Sequence, residues 1–155
     1  MSVIVLSMKK TKKKYTSKSE KQTKEIGEQL GKRLIRGGIV ALYGNLGAGK
    51  TVFVKGIAKG LEIKNRITSP TFVFWRVYNV GRNGINHFCH VDLYRLPMQA
   101  SLQSIGIEEY WERDDTVSVV EWAEKAKQLP KSKIIYSINI EIIEKNIREI
   151  SVTSL

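Results

Sequence analysis

At 155 residues the chain is long enough for one domain with one core, and its 42% hydrophobic and 26% charged residues are those of an ordinary globular protein. No apolar run approaches the ~20 residues that span a bilayer. Residues 1–8 are apolar but too short for a signal peptide and precede the lysines rather than following them, and the single cysteine, Cys89, excludes an internal disulfide and a thiolate metal cluster, so a cytoplasmic protein is expected.

The net charge of +11 is uneven, because residues 1–24 hold eight lysines against one glutamate. Residues 1–14 read as a basic, disordered tail ahead of a single domain over 15–155. Such an arm can attract RNA phosphates, but it lacks arginine–aromatic interleaving, and a solvated extension is the simpler reading.

A helix is predicted from Ser19, where Ser19 and Gln22 have capping-box spacing. Ile26, Leu30 and Leu34 follow along one face, and Gly37-Gly38 is its expected stop. Residues 39–43 are continuously apolar, which suits a strand buried on both faces. Residues 51–61 read as the next helix, with Val54, Ile57, Ala58 and Leu61 on one side. Thr68, Ser69, Pro70 and Thr71 form a breaker, since Pro70 biases Ser69 away from helix. Residues 72–78 and 85–93 are β-rich, with a connection from Gly81 to Gly84 that looks too long for a tight turn. Residues 99–111 read as helical unless Gly106 breaks them. A buried strand is expected over 116–122, then a short polar helix closed by Pro130. Residues 134–142 and 147–152 alternate apolar and polar, predicting a final antiparallel pair. Together these elements predict an α/β fold with a mixed central sheet and flanking helices.

Gly44, Asn45, Leu46, Gly47, Ala48, Gly49, Lys50 and Thr51 match the phosphate-loop pattern G-x-x-x-x-G-K-[ST]. The glycines let the backbone curl so that successive amides point at phosphate oxygens. The following helix, which Val52 continues, presents its positive N-terminus to the same anion. Lys50 adds a point charge at the terminal phosphates, and the Thr51 hydroxyl suits magnesium. ATP with Mg2+ is the expected ligand pair. The loop also needs an acidic strand end beside it. Asp92 and Glu121 both end apolar, strand-like runs, where an open sheet places its ligands, and the residues alone do not rank them. His90, Trp75, Trp111 and Trp122 read as structural or partner-contact residues. No second histidine or cysteine stands at zinc-ligand spacing.

Four blocks then occur in an order that resembles the bacterial TsaE (YjeE) family: LYGNLGAGKT at 42–51, TSPTF at 68–72, HVDLYRL at 90–96 and VVEWAE at 119–124. The similarity runs from about Ser19 to Val152. It implies a P-loop ATPase needed for threonylcarbamoyladenosine in tRNA beside the anticodon. Such a protein acts with TsaB and TsaD rather than transferring the group itself, so tRNA is met indirectly and no membrane or DNA partner is implied. By the same likeness Thr51 and Glu121 form the magnesium site and Asp92 is needed for hydrolysis. Thr68 to Thr71 become a switch near the γ-phosphate, and Ser19 and Thr23 lie near the base. Asn45, Val91 and Ala123 depart from the common aspartate, phenylalanine and proline, and none of these is a predicted phosphate or metal ligand. Arg95 is a candidate for the absent arginine finger. The competing readings are a small-molecule kinase, a GTP switch (which lacks the Asn-Lys-x-Asp signature) and a non-catalytic RNA-binding adaptor.

Overall fold

The computed structural model describes residues 10–155 apart from 71, 83 and the side chain of Ser104. Seven strands form one mixed sheet in the order β1-β7-β6-β2-β5-β4-β3. They are β1 (Thr11–Ser17), β2 (Gly38–Tyr43), β3 (Trp75–Arg82), β4 (Ile85–Asp92), β5 (Thr116–Glu121), β6 (Ile134–Glu144) and β7 (Ile147–Ser154). The centre is parallel, β2 lying between β5 and β6 with β4 beyond β5, while β3, β7 and β1 are added antiparallel. Every residue of β5 is buried, the valines Val117, Val119 and Val120 together with the polar Thr116, Ser118 and Glu121. Asp92 and Glu121 pair in register at the carboxyl ends of β4 and β5, so two parallel strands deliver both carboxylates to one edge.

Helices α1 (Glu20–Arg33) and α2 (Lys50–Gly60) cover one face of the sheet. Their contact depends on four glycines. A Cβ at Gly27 would stand 2.4 Å from the carbonyl oxygen of Phe53, and one at Gly31 2.3 Å from that of Ile57. A Cβ at Gly56 would stand 2.1 Å from Lys24 O, and one at Gly60 2.3 Å from Glu28 O. The two backbones therefore touch, and no side chain fits between them. Val40, Leu42, Phe53, Val54, Ile57, Phe88 and Ile138 form the core beneath. Alternate residues of the same strands, Ile39, Ala41, Cys89, Val91 and Val120, meet Leu102, Ile107, Trp111 and Leu129 on the other face. No helix among the described residues is long and apolar enough to cross a membrane.

Several expectations are corrected. Residues 11–14, read as part of a disordered tail, belong to β1, because β7 offers them a free edge and Tyr15 packs onto the core beside Ile150. Residues 1–9 lie outside the described residues. The first helix ends at Arg33, before Gly37-Gly38. Those glycines instead let the chain pass β5, since a Cβ at Gly37 would stand 2.3 Å from Asp114 O. Arg82 pairs with Ile85, so the β3–β4 connection is shorter than expected. Residues 99–111 hold only a 3-10 turn (Gln103–Ile105) and the four-residue helix α3 (Glu108–Trp111), split at Gly106 with φ 72°. The polar helix before Pro130 is only the 3-10 turn Ala123–Lys125.

Candidate nucleotide site

The phosphate loop joins β2 to α2. Gly49 caps α2 with φ 104°, a conformation open to glycine and strained for other residues. No side chain caps this helix, so its first amides are left for an anion. A cavity of about 570 Å³ opens over them, lined by Leu46, Gly47, Ala48, Gly49, Lys50, Thr51 and Val52 of the loop and helix. Ser69, Asp92, Tyr94, Glu121 and Trp122 line its other side, with Ser19, Glu20, Thr23, Lys145, Asn146 and Arg148 at its rim. Gly44 and Asn45 are not in its wall. Their carbonyls instead accept from Lys50 Nζ at 2.6 and 3.0 Å.

Lys50 is 5% exposed. Its ammonium lies 3.9 Å from the centre of the Trp122 ring, a cation–π contact. Burial holds its pKa below the usual lysine value, and the charges of Glu121, Glu124 and Asp92 offset part of that effect. None of its hydrogen-bond partners is a carboxylate, so a phosphate can take the charge without breaking an ion pair. Trp122 reaches this place through a left-handed backbone, φ 57°, which is costly for a bulky residue. That strain follows directly on Glu121.

Glu121 is 2% exposed and takes two partners. Thr51 Oγ1 donates to Oε1 at 2.8 Å, and Oε2 lies 2.5 Å from His90 Nε2. His90 is fully buried on β4, and its Nδ1 has no hydrogen-bond partner among the described residues. Asp92 is fixed differently: Ser69 Oγ donates to Oδ2 at 3.1 Å and the Tyr94 amide to Oδ1 at 3.0 Å. The Thr51 hydroxyl and two carboxylates thus face one cavity beside a helix N-terminus, a donor set that fits a hard, oxygen-seeking cation. Among the described residues no three His, Cys, Asp or Glu side chains form a metal cage. A cation here would take the rest of its shell from phosphates and water.

Thr23 is buried, shares a 2.7 Å hydrogen bond with Ser17 Oγ, and packs near Gly49. Ser19 Oγ is occupied as the α1 cap, accepting from the Gln22 amide. Gln22 Oε1 reaches back to the Lys18 amide, one residue beyond the expected partner. Thr71 lies outside the described residues. Arg95 stacks over Phe72 at 4.8 Å and is not in the cavity wall, so the structure does not bring it to the site.

Arg148 is there instead. Its Nε donates to Ala48 O at 3.0 Å and its Nη2 to Gly47 O at 3.2 Å. These loop carbonyls are thereby held toward β7, while the Ala48 amide donates back to Asn45 O at 3.0 Å. The sequence alone assigns Arg148 no role, because nothing near it marks a motif. It also conceals the His90–Glu121 pair, whose partners are 31 residues apart.

The family described as threonylcarbamoyl adenosine biosynthesis protein TsaE matches residues 17–150. The tRNA threonylcarbamoyladenosine biosynthesis protein TsaE of Mycobacterium tuberculosis is 42% identical over 108 residues, 66% of this chain and 63% of that protein. The match therefore spans less than two thirds of the mycobacterial relative. The protein of the same name from Treponema pallidum is 39% identical over 137 residues, 88% of this chain and 96% of the relative. The crystal structure of Bacillus subtilis YdiB superposes with a TM-score of 0.71 at 29% identity, covering 96% of this chain and 88% of that one.

Proposed function

The chain belongs to the TsaE family, and from that premise we propose that it is a cytoplasmic, magnesium-dependent ATPase serving threonylcarbamoyladenosine formation in tRNA. It acts with TsaB and TsaD homologues rather than transferring the group itself. The observation that carries this reading is the gathering of Lys50, Thr51, Glu121 and Asp92 from two strand ends and one helix around a single cavity.

In this reading the loop amides and Lys50 hold the β- and γ-phosphates. Thr51 and Glu121 would hold magnesium, directly or through water, and His90 fixes the Glu121 carboxylate in place. Magnesium, when bound, would neutralise part of the phosphate charge. Asp92, with both oxygens already oriented by Ser69 and Tyr94, positions the attacking water. Phosphoryl transfer needs positioning and charge more than covalent chemistry, so these few groups suffice for slow turnover. With Arg95 directed at Phe72, no arginine finger is assigned and stimulation by partners is expected.

The test is phosphate release from ATP with magnesium, with and without the TsaB–TsaD pair. Lys50→Ala should lower turnover by roughly 100-fold, the scale of losing one preorganised charge-stabilising group. Unchanged nucleotide affinity and turnover in that variant would refute the assignment.

A further inference from the structure

A second basic feature lies away from the nucleotide. Between α1, α2 and the segment that follows α2 is a shallow cleft of about 320 Å³, lined by Lys24, Lys55, Lys59 and Arg66 over a floor of Ala58 and Ile67. All four cations are exposed, and among the described residues no carboxylate lines the cleft. The glycine seam brings the lysines of α1 and α2 together. Because Gly56 meets the Lys24 carbonyl with no room for a Cβ, Lys24 and Lys55 spring from backbones that touch.

Further along the same seam the protein neutralises such crowding. Glu28 takes both Lys32 and Lys59 at 3.0 Å, and those hydrogen bonds, Lys59's first, hold its carboxyl below the usual range. Lys24, Lys55 and Arg66 make no ion pair among the described residues. Like charges held together on a stiff backbone repel, and a polyanion relieves that repulsion.

Composition decides which polyanion. Protein interfaces favour aromatic residues and methionine and are poor in lysine. Among the described residues, no aromatic residue or methionine lines this cleft. The exposed large apolar side chains Phe72, Val73, Tyr94 and Met98 lie in a different stretch of chain, which reaches the nucleotide cavity at Tyr94. Phosphate backbones, by contrast, are held by lysine and arginine with small polar side chains such as Asn65 beside them. We infer that the cleft docks the sugar–phosphate backbone of RNA. This docking is direct and independent of nucleotide, so it goes beyond the ATPase reading and does not rest on it.

The test is fluorescence anisotropy of a labelled tRNA transcript with the full chain over a range of KCl concentrations. Affinity should fall with salt. The combined variant Lys24→Gln, Lys55→Gln, Arg66→Gln should bind more weakly, with a log–log salt slope shallower by about 2–3, near one for each phosphate no longer neutralised. Each single substitution should give about a third of that change, so the result does not hang on the triple variant. Lys12→Gln, Lys13→Gln, Lys14→Gln on β1 removes the same charge and should change binding little. ATP turnover of the cleft variants should match the parent protein, which separates failure here from failure of the ATPase reading. The inference is overturned if the transcript does not bind, if the cleft variants bind as the parent does, or if the β1 variant weakens binding as much. It is also overturned if polyglutamate displaces the RNA at equal charge concentration, which would assign the cleft to an acidic protein.

Discussion

The two faces of the sheet are covered by unlike materials. One carries two full helices whose backbones meet along four glycines. Across the other face, residues 93–115 and 122–133, on either side of β5, contribute one four-residue helix and three single 3-10 turns, held by Leu102, Ile107, Trp111 and Leu129. The helical face is stiff because its backbones meet directly, with no side-chain rotamer to take up a displacement. The phosphate loop hangs between that face and β2, so the grip on an anion inherits the stiffness. Asp92, Tyr94 and Trp122, which line the cavity opposite the loop, stand where the loosely covered segment begins or passes it. For the proposed ATPase, anion binding calls for a fixed cradle and timed hydrolysis for a side that can be adjusted, and the two faces differ in that sense.

The comparison breaks most easily at the seam. Gly56→Ala places a Cβ 2.1 Å from a backbone oxygen, and overpacking of this kind costs about 3 kcal/mol. A fall in Tm of roughly 6–12 °C is expected for a chain of this size. Gly81→Ala on β3, with nothing within 4 Å of its Cβ, should leave the melt unchanged. Equal melting curves for the two variants would show that the helices have slack and that the stiff face is not stiff.

A finer division should appear in nucleotide chemistry. Arg148→Met removes two hydrogen bonds to the loop carbonyls, each a charge-assisted bond. ATP affinity should weaken about ten-fold, the lower end of what such bonds contribute, because the cradle loses its brace. His90→Asn frees the Glu121 carboxylate from its buried partner. There kcat should fall by about ten-fold with ATP affinity nearly kept, as expected for a group that positions the catalytic machinery. Calorimetric titration and steady-state phosphate release separate the two. If both variants lowered affinity alike, the split between grip and chemistry would be lost.

What the residues disclosed in advance follows the same division. The phosphate loop, the buried strands β2 and β5 and the final hairpin were legible because each is a local pattern: a fixed spacing, an unbroken apolar run, an alternation. Asp92 and Glu121 were legible because each closes a run that is apolar on both faces, so neither belongs to a solvent-facing alternation. The loosely covered face was misread, since residues 99–111 have helical composition but Gly106 and packing against Trp75 and the sheet divide them. The seam went unread although Gly27, Gly31, Gly56 and Gly60 keep a four-residue spacing in plain view. A glycine pair on one helix has no meaning until the facing helix is known. Arg148 and the His90–Glu121 pair are likewise products of topology. The edge strand β1 was hidden because its lysines look like a solvated tail, whereas lysine on an edge strand is also what discourages further pairing.

The smallest expected signal is also the most direct probe of the loose cover. Cys89 sits on β4, fully buried, on the face capped by Leu102 and Trp111. Burial pushes its thiol up to about 12, so at neutral pH almost no thiolate exists in the closed protein and an aromatic disulfide reagent should react only after opening. If the short turns lift without global unfolding, the labelling free energy should fall below the global stability. Leu102→Ala, which leaves a hole in that cover, should speed labelling beyond its effect on the global melt. Gly56→Ala should lower the melt while barely changing the local opening. A labelling free energy equal to global stability, moved equally by both variants, would mean that the two faces unfold as one unit and that the adjustable side of the site is adjustable only through side chains.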